Sequence, residues 1–161
     1  GIGSPIIPYL LQSMHMALEK FLLEQVGQMK DHLLEQILIS ILQRAQSASL
    51  SSIVCSIVLA HPDKFWKVAL ILFKTIEFFH PDLMRSMRET EVKSLCGISF
   101  YSNPLYTRER LETCEHGFRK ENLEGLFIKY QFVNICGFTE QEEQKFLDEI
   151  YSIIDYHKSK V

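Results

Sequence analysis

Residues 53–79 read IVCSIVLAHPDKFWKVALILFKTIEFF, and 18 of these 27 positions are apolar. Drawn as helices, the apolar positions wrap the whole circumference, and a helix apolar on every side is buried on every side. His61-Pro62-Asp63 interrupts the run: proline restrains the residue before it and suits the first turn of a new helix. The stretch therefore predicts a helical hairpin at the centre of the fold. It does not predict a membrane anchor. The uncharged segment Ala45–Pro62 contains five serines, and a bilayer span needs ~20 mostly apolar residues.

Working outward, apolar residues keep the helical period through most of the chain. Leu11, Met14, Leu18, Phe21 and Leu22 form one stripe, with Ser4-Pro5 as cap and first helical residue and Gly27 as its end. Leu34, Ile37, Leu38, Ile41, Leu42 and Ala45 form a second, with Asp31 near its start. The serine-rich stretch 47–52 reads as a break. Downstream, Leu123, Leu126, Phe127 and Tyr130 share a face. Thr139 with Glu142 makes a capping box for a helix carrying Phe146, Ile150, Ile153, Ile154 and His157 on one side. The expectation is an all-α multi-helix bundle of six or seven helices. Residues 1–92 form a helical hairpin array, 93–106 a linker or loop with a short extended piece at 98–101, and 107–161 amphipathic helices packing on the same core.

His61-Pro62-Asp63-Lys64-Phe65 returns 19 residues later as His80-Pro81-Asp82-Leu83-Met84. Helices cut at equal intervals point to stacked antiparallel hairpins of a HEAT-like kind. The tetrad His61–Lys64 also resembles the signature of J-domain co-chaperones. That family places a strongly basic helix before the motif, whereas here no Lys or Arg lies between Arg44 and Lys64. Helix punctuation is the better reading.

Composition narrows the function classes. Seventeen Lys and Arg against 20 Asp and Glu give a net charge of −3. A general nucleic-acid binder needs a basic excess or stripe to neutralise phosphates, so nucleic acid is not an expected partner. The 7 Gly and 5 Pro are too few for a turn-rich all-β protein. The four cysteines at 55, 96, 114 and 136 contain no CxxC pair and read as reduced thiols of a cytoplasmic protein. The chain opens Gly1-Ile2-Gly3-Ser4, with no initiator methionine and no visible secretion signal. It is expected to be a processed chain or a piece of something larger.

Candidate chemistry is sparse. Cys114 and His116 with Cys96 or Cys136 suggest a metal site, but structural zinc wants a close ligand pair on each side and one pair is present. No nucleophile elbow or phosphate-binding loop occurs, and the carboxylates of 140–143 and 148–149 suit a helix start and a solvated face. No catalytic residue, metal ligand or cofactor is assigned. The segment 107–125 carries nine charges of mixed sign in 19 residues. Its basic members Arg108, Arg110, Arg119 and Lys120, with His116, are the candidate interaction or anion-contacting patch. The alternative is a solvated helix surface with pairs such as Glu115–Arg119, and it is favoured.

Three segments carry a family resemblance: SMHMALEKFLLE at 13–24, SIVCSIVLAHP at 52–62 followed by Glu77-Phe78-Phe79, and FRKENLEGL at 118–126 with Tyr130-Gln131 behind it. Together they resemble the helical region that follows the nucleotide-binding module in large bacterial STAND-type NTPases, the AVAST-like anti-phage proteins. Phe118 stands where that pattern has histidine, and Phe21 where it has tryptophan. The resemblance implies a non-catalytic relay or interaction module whose parent is the ATPase. Its partners would be the rest of that polypeptide, other proteins and further copies. A stand-alone helical protein-interaction adaptor or co-chaperone-like binder is the alternative.

Overall fold

Helices begin and end where the chain's punctuation allows. The computed structural model describes residues 9–95, 112 and 115–160, and every helix or strand element named among them is helical. Helix α1 (Tyr9–Gln25) stops just before Gly27, whose φ of +89° favours a residue without Cβ. Helix α2 (Asp31–Arg44) has Asp31 in its first turn and Arg44 in its last, each complementing the helix dipole. Helix α3 is Ala48–Ala60. The serine stretch is therefore the start of a helix and not a break. The Ser47 hydroxyl accepts the Ser49 amide at 3.3 Å, and the Ser52 hydroxyl donates to the Ser49 carbonyl at 2.8 Å. Serine competes with the backbone inside a helix but suits its first turn.

Helix α4 (Trp66–Phe73) follows the first His-Pro turn, in which the amides of Lys64 and Phe65 both reach the His61 carbonyl at 3.2 Å. A 3-10 turn, Ile76–Phe78, leads into α5 (Phe79–Leu95). The second proline, Pro81, sits in the first turn of α5, where its missing N–H is not needed. Both His-Pro pairs thus mark helix boundaries, the first at the end of α3 and the second at the start of α5. A further 3-10 turn, Gly117–Lys120, precedes α6 (Leu123–Phe132) and α7 (Glu140–Lys158). Ser4-Pro5, the extended piece at 98–101 and residues 96–106 of the expected linker lie outside the described residues. Lys93, Ser94 and Leu95 belong to α5.

The chain divides into two compact units, Gly1–Ile57 and Val58–Val161, with the division inside α3. In the first unit Leu22, Leu34, Leu38, Ile53, Val54, Cys55 and Ile57 are buried. The α1 stripe faces inward only in part: Leu22 is buried, but Met14 is 60% exposed and Phe21 53%. Glu19 turns inward beside Leu22, with His15 on the same side and 3.4 Å from the Ser49 hydroxyl.

In the second unit the core is aromatic. The Phe73 ring, fully buried, lies 4.8 Å from Phe127 and 6.1 Å from both Phe79 and Tyr130. Tyr130 meets Phe146 at 5.1 Å, and Phe146 meets Trp66 at 5.6 Å. Most of these rings meet edge to face, which places a positive rim on a negative face. His157 Nε2 donates to the Phe73 carbonyl at 2.7 Å, so the end of α7 satisfies an orphan acceptor at the end of α4. At the other end of α7 the Glu142 carboxylate accepts from both the Thr139 amide (3.0 Å) and hydroxyl (2.8 Å). Those bonds hold its carboxyl below the usual range.

Removing the central ring should be costly. Phe73→Ala is expected to lose about 3–5 kcal/mol, whereas Phe132→Ala, at a ring 81% exposed, should change stability by less than about 0.5 kcal/mol. Urea unfolding followed by the single tryptophan, Trp66, reads both; comparable losses would contradict this core.

Candidate functional site

The predicted basic patch splits. Arg108 and Arg110 lie outside the described residues, while His116, Arg119 and Lys120 stand together on the turn that leads into α6. Around these three residues the described backbone is not α-helical: Gly117–Lys120 is a 3-10 turn, and Glu121 and Asn122 are extended at φ −80° and −142°. The amides of Arg119 and Glu121 close the turn on the carbonyls of His116 and Phe118. The His116 ring stacks on Phe118 at 5.6 Å, and the Arg119 guanidinium lies 5.5 Å from the same ring. His116 and Lys120 are exposed.

What fixes this turn is a pair that the sequence reading did not single out. Asp82 is buried at the start of α5, and both of its carboxylate oxygens are engaged. Oδ2 accepts the Leu123 amide at 2.7 Å, the first of α6, and Oδ1 accepts Arg85 Nε at 2.9 Å. Arg85 then spreads its other nitrogens over the turn. Nη1 donates to the Arg119 carbonyl at 3.1 Å, and Nη2 to the Glu121 carbonyl at 2.8 Å. Asn122 adds a cap of its own by accepting the Gly125 amide at 2.8 Å. A buried carboxylate is tolerated when charged and polar donors surround it, and here they come from 3 and 41 residues away. The available signal was the spacing Asp82-x-x-Arg85 behind the second His-Pro. An acid in a first turn ordinarily reads as dipole complement, which hides its partner across the fold.

The first His-Pro-Asp turn carries a second polar cluster. The Tyr130 hydroxyl donates to the Pro62 carbonyl at 2.6 Å, and Cys136 Sγ lies 4.0 Å from the same oxygen. Burial pushes the Tyr130 hydroxyl above the ordinary tyrosine range, with Cys136 and Asp63 adding to it. Burial, and then the charge of Asp63, pushes the Cys136 thiol from 9.0 up to about 11. The thiolate is the form that attacks electrophiles, so the raised pKa slows Cys136 as a nucleophile at neutral pH. Cys96 and Cys114, the other thiols of the suggested metal site, lie outside the described residues. Among those described, no three His, Cys, Asp or Glu side chains converge as a metal site.

The arrangement therefore displays a stacked His–Phe–Arg surface on a turn held from below, and it offers hydrogen-bonding and stacking contacts. No helix of the described residues is long and apolar enough to cross a membrane. No protein-family model matches the chain, and no curated protein matches it.

Two outcomes follow from the Pro62 cluster. Tyr130→Phe deletes one buried hydrogen bond and should cost about 1 kcal/mol in urea unfolding. Above pH 9 the unfolded thiol ionises while folded Cys136 stays protonated up to about 11, so stability should fall across that window as pH rises. Peptide mapping after alkylation should find Cys136 sluggish at pH 8 and faster as pH climbs toward 11; a rate already level near pH 9 would contradict the assignment.

Proposed function

We propose that the chain is a non-catalytic helical relay, an interaction module of a larger NTP-dependent antiviral defence protein of the bacterial cytoplasm. The reading rests on the resemblance of three separated segments, 13–24, 52–62 with 77–79, and 118–126 with 130–131, to the helical region of STAND-type NTPases. These segments fall on α1, on α3 with the entry to α5, and on the turn that opens α6. In this reading NTP chemistry belongs to the module upstream. The helices pass its state to the regions that sense a viral protein and assemble with further copies of the parent. A relay of that kind requires an element with two discrete packings.

A second reading, a stand-alone helical adaptor, is favoured by the apolar side chains left in water. Phe132 and Val133 end α6 exposed, and exposed apolar groups at one place often mark docking surfaces. The coding frame of the parent separates the two. The relay reading expects a Walker A phosphate loop upstream in the same frame, and a frame lacking one overturns it. Within that parent, deletion of residues 53–79 should abolish protection against phage; protection that survives the deletion would likewise sink the relay.

A further inference from the structure

We propose that Arg85, anchored on Asp82, is the gripping jaw of a latch, and that residues 116–121 form a strap that opens without unfolding the aromatic core of the second unit. This inference does not depend on the function proposed above.

Two different kinds of contact hold the parts concerned. Helices α4, α6 and α7 meet through buried rings and buried aliphatic side chains, Leu123 among them. The Gly117–Lys120 turn, by contrast, buries none of its side chains. Its carbonyls at Arg119 and Glu121 are gripped by the two Nη nitrogens of one arginine. Asp82 belongs to the core side, because its other oxygen holds the amide of fully buried Leu123. The extended residues Glu121 and Asn122 lie between the gripped turn and that anchored residue. They are the place where the backbone can swing.

The energetics favour two states over a continuum. Closed, the guanidinium has both strap carbonyls and the carboxylate as partners. Open, Arg85 Nε keeps the Asp82 carboxylate while its Nη groups and the two carbonyls are hydrated instead, and exchange of protein partners for water is nearly balanced. Halfway positions leave charged donors dry and unpaired, which is the expensive arrangement. Breaking the grip uncovers half-buried Phe118 and Arg119 but no fully buried side chain of the turn, so opening should cost less than global unfolding.

Native-state hydrogen exchange on the full chain tests this. In the unaltered protein the amides of Arg119 and Glu121 should be about tenfold or more less protected than those of Leu123, Ala69 and Ile150, with a much weaker dependence on added urea. Arg85→Lys keeps the positive charge beside Asp82 but lacks the two-pronged donor. It should strip the remaining protection from Arg119 and Glu121 and move their shifts toward unstructured values, while the signals of Phe73, Phe127 and Phe146 stay native. The latch is overturned if strap and core amides share one urea dependence in the unaltered protein. It is equally overturned if Arg85→Lys leaves the strap unchanged, or if that variant disorders strap and core together.

Discussion

Phe73 is where the second unit is tied together, and it does so twice. Its ring gathers Phe79 from α5 and Phe127 and Tyr130 from α6. Its carbonyl, at the end of α4, takes the proton of His157 from α7. Four helices are thereby referred to one residue. Ring pairs of this kind add about 0.5–1.5 kcal/mol each beyond the area they bury, and their edge-to-face geometry also restricts how the helices rotate. The ladder continues through Tyr130 and Phe146 to Trp66, so the two ends of α4 sit on one continuous aromatic surface.

Apolar packing of this sort is strong but tolerant of small slides; directional bonds are not. The Asp82–Arg85 pair supplies the direction. A buried carboxylate whose two oxygens are spoken for by Leu123 and Arg85 admits one placement of α6 against α5. A buried ion pair is weak evidence for stability, because desolvation offsets much of the attraction. Its value here is positional: it sets the turn that carries His116, Arg119 and Lys120, while the rings supply cohesion.

The division between what the sequence foretold and what it did not follows the same line. The burial of α3 and α4, the faces of α6 and α7, and the start of α7 at Thr139 were legible because periodicity and capping are local, although Ile71 and Ile76 of the 53–79 run are exposed. Leu123, Leu126, Phe146 and Ile150 are buried as their spacing requires. The orientation of α1 was not legible. Its best apolar stripe and its buried face differ by a small rotation, and the inward turn of Glu19 and His15 depends on what they meet. Ser47–Ser52 misled for a related reason, since the same hydroxyls that break a helix interior cap its beginning. The site fared worse than the fold. Basic residues near 116–120 were legible as a cluster, but the pair that holds them lies more than 30 residues upstream, and its local trace, the Asp82-x-x-Arg85 spacing, does not point to a partner across the fold.

The repeated His-Pro-Asp shows how far identical local sequence constrains structure. In both copies the proline falls at a helix boundary, in the turn that ends α3 for Pro62 and in the first turn of α5 for Pro81, positions that its fixed φ and missing donor allow. There the likeness stops. Asp63 stays exposed, and its charge acts at a distance by discouraging ionisation of Tyr130 and Cys136. Asp82 is buried and bonded to an amide on another helix. The residue three positions on from each aspartate differs: Trp66 follows Asp63, whereas Arg85 follows Asp82. An indole at that position can join the rings, as Trp66 does, but cannot compensate a buried carboxylate. A guanidinium can. The fate of each aspartate is therefore set less by the shared triplet than by whether the next turn of helix carries the cation that makes burial tolerable.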